Sequence, residues 1–167
     1  MKLSLLFFSV FTLCGSAISF SQTSASASFS ASVTIVEPIG ITTTSDMNFA
    51  RVEAGEGGLV ILAPDDSRIA QGGIQLAEGE TGTAASFEVI GTEGFAYDLS
   101  LPKGSFFLSN GTEEIVIKDF KSDIEGSGNL SGGSQVVKVG ATLEVNPNQT
   151  PGNYSNSNGF TVTVNYN

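Results

Sequence analysis

The sequence has no histidine and no tryptophan, and its one cysteine is Cys14. Without histidine the chain lacks the usual general base and the commonest zinc ligand. Without a second cysteine it can close no internal disulfide. Positive charge is scarce: 7 lysines and arginines stand against 17 acidic residues. A surface so acidic repels phosphate backbones, so nucleic acid is excluded as a partner. Long stretches of helical periodicity are absent. The one long apolar run, Leu3–Leu13, is too short to span a bilayer as a helix.

That run follows Met1-Lys2 and precedes the small residues Gly15, Ser16 and Ala17. A positive start, a short apolar stretch and small residues have the layout of a secretory signal peptide. Residues 1–21 are assigned to it, with cleavage after Ala17 or Ser21 and Ser21 preferred. Leu13 is bulky where a lipoprotein signal would place a small residue before Cys14. The expected location is outside the cytoplasm: periplasm, cell surface or medium. Removing Lys2 with the signal takes the formal charge from −10 one unit further, to −11. No integral membrane segment is expected in what remains, which is long enough for one domain with its own core.

Short alternating runs recur about every ten residues, separated by glycine, proline, asparagine and aspartate. Ala25-Ser26-Ala27-Ser28-Phe29-Ser30-Ala31-Ser32-Val33-Thr34-Ile35 alternates without a break, as does Phe160-Thr161-Val162-Thr163-Val164-Asn165-Tyr166. Strand side chains point alternately to opposite faces, so each run builds one apolar and one polar face. Strands are predicted at 29–36, 47–52, 58–62, 69–76, 86–90, 97–101, 114–120, 136–145 and 159–166. This reads as an all-β fold, an antiparallel sandwich or barrel of about eight to ten strands. The domain is placed at 33–167, with 22–32 as an N-terminal extension. Val33 and Ile35 are expected in its core with the other inward-facing apolar residues. Asn110-Gly111 predicts a two-residue hairpin turn, and Pro64-Asp65-Asp66-Ser67 predicts another turn.

The residues point to no catalytic site, no metal site and no cofactor. Asp65-Asp66 and Glu113-Glu114 are the tightest acidic clusters. Neighbours on a strand face opposite sides, so neither is a carboxylate dyad, and both read as solvated turn residues. Asp119, Asp123 and Glu125 offer three carboxylates. Phe120 and Lys121 occupy positions where a calcium loop needs a turn and oxygen ligands. The glycine-rich pieces lack the lysine and helix of a phosphate loop. No serine sits in a nucleophile elbow. Phe106-Phe107 puts one ring on each face of a strand, leaving either two packed rings or one surface ring for a partner or sugar. An enzyme is not expected.

Four segments carry a resemblance: Ala31-Ser-Val-Thr-Ile-Val-Glu-Pro-Ile-Gly-Ile, Asp46-Met-Asn-Phe-Ala-Arg-Val-Glu-Ala-Gly55, Val139-Gly-Ala-Thr-Leu, and Gly152-Asn-Tyr followed by Phe160-Thr-Val-Thr-Val-Asn-Tyr-Asn. Together they resemble a family of bacterial exported domains of unknown function. The closing element, with Met47-Asn48-Phe49-Ala50, is also similar to spore-coat-U-like and archaic chaperone–usher pilin subunits. Ala50 stands where those subunits carry glycine, which leaves a tight turn there open. The cysteines of many such subunits are missing.

The pilin resemblance implies an immunoglobulin-like or pilin-like antiparallel β-sandwich, and a structural, fimbrial or surface-coat subunit whose sandwich lacks one strand. The N-terminus of another subunit would then fill the groove by β-strand addition. In this chain the donor residues are Phe29, Ala31, Val33 and Ile35, and the acceptor edge is Phe160, Val162, Val164 and Tyr166. The implied partners are identical subunits or a periplasmic chaperone. The same alternation suits a first strand that pairs within its own domain. The chain would then be a self-complete secreted binding or adhesion module for a glycan or matrix partner.

Overall fold

A computed structural model describes residues 23–167, so the assigned signal and its cleavage site lie outside the described residues. The chain divides into two compact units, one ending at Thr34 and the other running from Ile35 to Asn167. In the first, residues 23–34 form no strand or helix, and their side chains are exposed.

The second unit is built from β1 (Gly40–Ser45), β2 (Val52–Glu53), β3 (Gly58–Leu62), β4 (Arg68–Gly72), β5 (Gln75–Leu76) and β6 (Ala85–Ile90). It continues with β7 (Ala96–Ser100), β8 (Phe106–Ser109), β9 (Glu114–Ser122), β10 (Ser127–Asn129), β11 (Ser134–Val145) and β12 (Thr163–Tyr166). Every strand pairing is antiparallel. Seven strands form the main sheet: β1-β6-β11-β3-β4, with β9 on β11 and β8 on β9. The smaller sheets are β10-β7-β12 and β2-β5. The result is the antiparallel β-sandwich that the alternation predicts. Its strands outnumber the expected eight to ten because several pieces are only two or three residues long.

The twelve-residue β11 organises the main sheet. Its first half pairs with β6, its second half with β3, and its middle also with β9. Its inward row Val137, Val139, Ala141, Leu143 and Val145 is buried throughout. One core cluster gathers Phe49, Val60, Leu62, Ile74, Ile115, Ile117, Ala141, Leu143 and Val145. The other gathers Ala85, Val89, Tyr97, Leu99, Leu130, Val137, Val139 and Val164. Met47 and Phe120 pack against both.

The 58–62 prediction coincides with β3, and 86–90, 97–101, 114–120 and 136–145 each fall on a strand. Elsewhere the structure corrects the prediction. No strand covers 29–36, and Val33 and Ile35 are 85% and 91% exposed, not core residues. The first strand is instead Gly40–Ser45, whose threonine run shows no alternation. The 47–52 run reduces to Val52–Glu53 and an isolated bridge from Asn48 to Thr83. The 69–76 run breaks at Gly72, where φ is +88°. Of 159–166 only Thr163–Tyr166 is strand. No predicted range covers β8 or β10.

The turns show why side chains matter locally. Asp65 accepts the Ser67 N–H and hydroxyl, and the Ala63 N–H donates to the Ser67 carbonyl, closing the β3–β4 hairpin. Between β8 and β9 the connection has four residues, not two. There Asn110 Oδ1 accepts from the Thr112 N–H, the Thr112 hydroxyl and the Glu113 N–H. The side chain thus does the work of a longer turn.

Candidate functional site

An apolar cleft of about 1340 Å³ lies within the second unit. Its floor comes from three strands of the main sheet. β6 presents Ala85 and Phe87, β11 presents Val139 and Leu143, and β9 presents Ile115, Ile117 and Phe120. Phe120 reaches the floor because of a β-bulge. Gly140 pairs with Lys121 and Thr142 with Lys118, so Asp119 and Phe120 together oppose Ala141. Asp119 takes up the extra residue at φ +53°. The bulge restores the inward side to Phe120, which simple alternation from Ile117 would turn outward.

One wall is the segment from Asp46 to Glu53. Asn48 Oδ1 accepts the Ala50 N–H at 2.8 Å, and Ala50 sits at φ +53°. The tight turn left open at Ala50 therefore forms, although alanine pays for the left-handed backbone. Glu80 holds this wall, accepting the Arg51 Nε at 2.6 Å and the Arg51 N–H at 3.0 Å. These bonds keep its carboxyl below the usual range. Arg68 spans behind, donating to the carbonyls of Phe49 and Glu80.

The other wall runs from Gly152 to Val162. Glu113 holds it, accepting the Thr150 hydroxyl at 2.7 Å, the Thr150 N–H at 3.2 Å and Gln149 Nε2 at 2.8 Å. The Thr150 bonds are the main reason its carboxyl lies below the usual range. The Tyr154 hydroxyl donates to the Thr150 carbonyl at 2.7 Å, and Ser155 bridges to Ser109. Glu113 thus staples a loop, and Asp66 likewise accepts from Lys138 Nζ at 2.6 Å and the Ala84 N–H at 2.7 Å. Neither is the plain solvated turn residue expected from sequence. Both partnerships cross long stretches of chain that a local pattern does not report.

The four acceptor-edge residues divide into two pairs. Phe160 and Val162 line the cleft and lie outside any strand. Phe160 joins Phe106 and Phe120 in an aromatic cluster with ring centroids 5.1 to 5.9 Å apart. Val164 is buried in the second core cluster. Tyr166 packs edge-on against Phe95 and ends β12. β12 pairs with β7 on one side, and among the described residues no strand pairs with its other side. Of the donor candidates, Phe29 is 92% exposed, and Ala31, Val33 and Ile35 are exposed as well.

Asp119, Asp123 and Glu125 do not converge. Asp123 accepts the Lys138 N–H, and among the described residues no three side chains of His, Cys, Asp or Glu are placed to hold a metal ion. Phe106 turns into the aromatic cluster, and Phe107 is exposed on the opposite face. Among the described residues no helix is long and apolar enough to cross a membrane.

The sequence of this sandwich matches a family model described as "Domain of unknown function (DUF4402)" over residues 39–166. The chain belongs to this family. The DUF4402 match takes in all twelve strands and both walls of the cleft, and it begins after the alternating segment 25–35. No curated protein and no solved structure matches the chain.

Proposed function

We propose that this DUF4402 chain is an exported structural subunit, pilin-like or coat-like, that assembles by β-strand donation. The alternating segment of one copy enters the cleft of another. The observation that supports this reading is the apolar cleft itself, walled by 46–53 on one side and 152–162 on the other. Val162, the last lining residue, directly precedes β12, which among the described residues has one side without a strand partner. Such a side offers unpaired N–H and C=O groups to an incoming strand.

The segment suits the cleft chemically. Residues 23–36 contain no charged residue, no proline and no glycine, so insertion buries no ion and breaks no ladder. Burying Phe29, Val33 and Ile35 contributes roughly 1.5–3 kcal/mol each. Ordering a free segment costs about 2–5 kcal/mol. The apolar gain of about 4.5–9 kcal/mol is comparable to or larger than that cost before any ladder hydrogen bonds are counted. Slippage by one residue would turn the serines inward, so the alternation sets the register.

Light scattering on the chain lacking residues 1–21 tests the reading. Oligomers are expected with the segment present and a monomer once 23–34 are deleted. A full-length product that stays monomeric at high concentration overturns strand donation and favours a self-complete binding module.

A further inference from the structure

We propose that Asn158 is a site of spontaneous covalent modification: its side-chain amide cyclises onto the Gly159 nitrogen and hydrolyses to aspartate and isoaspartate, while the same residue pair at Asn110-Gly111 is protected. Asn-Gly occurs in the chain at these two places. Glycine has no Cβ to shield its nitrogen or to restrict the backbone. In the reaction the Gly159 nitrogen gives its proton to hydroxide and attacks Asn158 Cγ. The N–Cγ bond forms, the Cγ–Nδ2 bond breaks, and ammonia leaves. Water then opens the resulting succinimide at either ring carbonyl, giving aspartate or isoaspartate. Water is the only co-reactant, and nothing is oxidised or reduced.

The structure separates the two sites. Asn158 and Gly159 are exposed, in the turn between the Ser155 bridge and Phe160. Among the described residues no hydrogen bond engages the Asn158 side chain or the Gly159 N–H; only the Asn158 N–H is held, by Asn156 Oδ1 at 2.8 Å. Asn110 is partly buried, and its Oδ1 accepts the three bonds that build the β8–β9 turn. The Gly111 N–H donates to the Ser109 hydroxyl at 3.0 Å. Ring closure at Asn110 must first break these bonds, and each one lost opposes it. At Asn158 no such bond stands in the way.

The position gives the change a structural consequence. Gly159 and Phe160 line the cleft. Ser155 is pinned to Ser109 by backbone hydrogen bonds of 2.9 and 3.0 Å. Phe160 is pinned by its ring contacts with Phe106 and Phe120. Isoaspartate routes the main chain through the former side-chain carbon, so it lengthens the stretch between these fixed points by one carbon. Phe160 must then shift or the wall must loosen. Either product also adds a carboxylate beside the cleft.

The test uses the chain without residues 1–21, incubated folded in mildly alkaline buffer and, in parallel, in denaturant. Peptide mass spectrometry reads each site separately, as a gain of one mass unit with resolved aspartate and isoaspartate forms. In the folded chain Asn158 is expected to convert at least about tenfold faster than Asn110, and in denaturant the two rates should converge. Incubation should lower the melting temperature of the parent and not that of Asn158→Gln, whose longer side chain closes a ring far more slowly. Asn158→Asp supplies the charge without the extra main-chain carbon, so the incubated parent should melt below it; a parent that melts with it overturns the lengthening argument. Equal folded rates at the two asparagines, or an Asn158 that converts only in denaturant, overturns the site. A melting temperature that conversion leaves unchanged, or that falls equally in Asn158→Gln, overturns the effect on the cleft wall.

Discussion

The Tyr166 hydroxyl donates to the Glu37 carbonyl at 2.8 Å, tying the end of the last strand to the residue before Pro38. The same oxygen accepts the Thr92 N–H at 2.7 Å, and the Glu37 N–H donates to the Thr92 hydroxyl at 2.8 Å. Three distant stretches of chain meet at one phenol. Tyr166→Phe keeps the ring and removes both bonds, leaving a partly buried N–H unpaired. A net hydrogen bond contributes about 0.5–1.5 kcal/mol, so the variant should be less stable by roughly 1–3 kcal/mol. Thermal unfolding checks this; an unchanged melting temperature would show that the node contributes nothing to stability.

Ala50 occupies a left-handed conformation in the cleft wall. Glycine carries no steric cost there, so Ala50→Gly should stabilise the domain by up to about 1 kcal/mol. Asn48→Ala should act in the opposite direction by about 1 kcal/mol, because the Ala50 N–H loses its acceptor. Denaturant midpoints for the two variants should move to opposite sides of the parent.

Gly140 precedes the residues of β11 that pair with β3 and lies against the end of β3. A Cβ at that position would stand 2.1 Å from the Leu62 carbonyl oxygen and 2.8 Å from the Ala63 carbonyl carbon. Both are backbone atoms held in the sheet, so the strand cannot give way as a side chain would. Gly140→Ala is expected to cost several times the roughly 1 kcal/mol of an average substitution, with soluble yield and melting temperature falling together. A variant as stable as the parent would mean that β11 and β3 separate easily.

Four carboxyls are held below their ordinary values: Glu113 by Thr150, Glu80 by Arg51, Asp66 by Lys138 and Asp65 by Ser67. A depressed folded value stabilises the fold above the unfolded one. That stability disappears as pH falls through the carboxylate range below about 4.3. Lys118 and Lys138 are raised by Glu144 and Asp66 respectively. Their contribution is complete below the unfolded lysine value of about 10.4 and declines as pH rises past it. Melting temperature should therefore be flat from about pH 5 to 10 and fall on both sides. Glu113→Gln should soften the acid limb. An acid limb identical to the parent's would mean that Glu113 is not tied in solution.

β3 was legible in the sequence because Gly58–Leu62 pairs on both sides with strands that bury its alternate residues. Periodicity reports which face of a segment prefers an apolar surrounding. It does not say which surrounding, and Phe29 to Ile35 shows the difference: the pattern is flawless, yet no strand forms there. Gly40–Ser45 is the reverse case, a polar run that becomes strand because β6 supplies its hydrogen bonds.

The cleft divides in the same way. Phe160 and Val162 could be picked out from the closing alternation. Phe120 as a floor residue depends on the bulge at Asp119, and Glu113 and Glu80 as wall staples depend on partners 37 and 29 residues away. The chain's own residues determined an all-β fold with an apolar face on most strands, because side-chain alternation is a local property of extended backbone. Only the tertiary structure decided that the second layer is split between β10-β7-β12 and β2-β5. Where two small sheets cover one large sheet, their separation depends on long-range packing, which no short window of sequence contains.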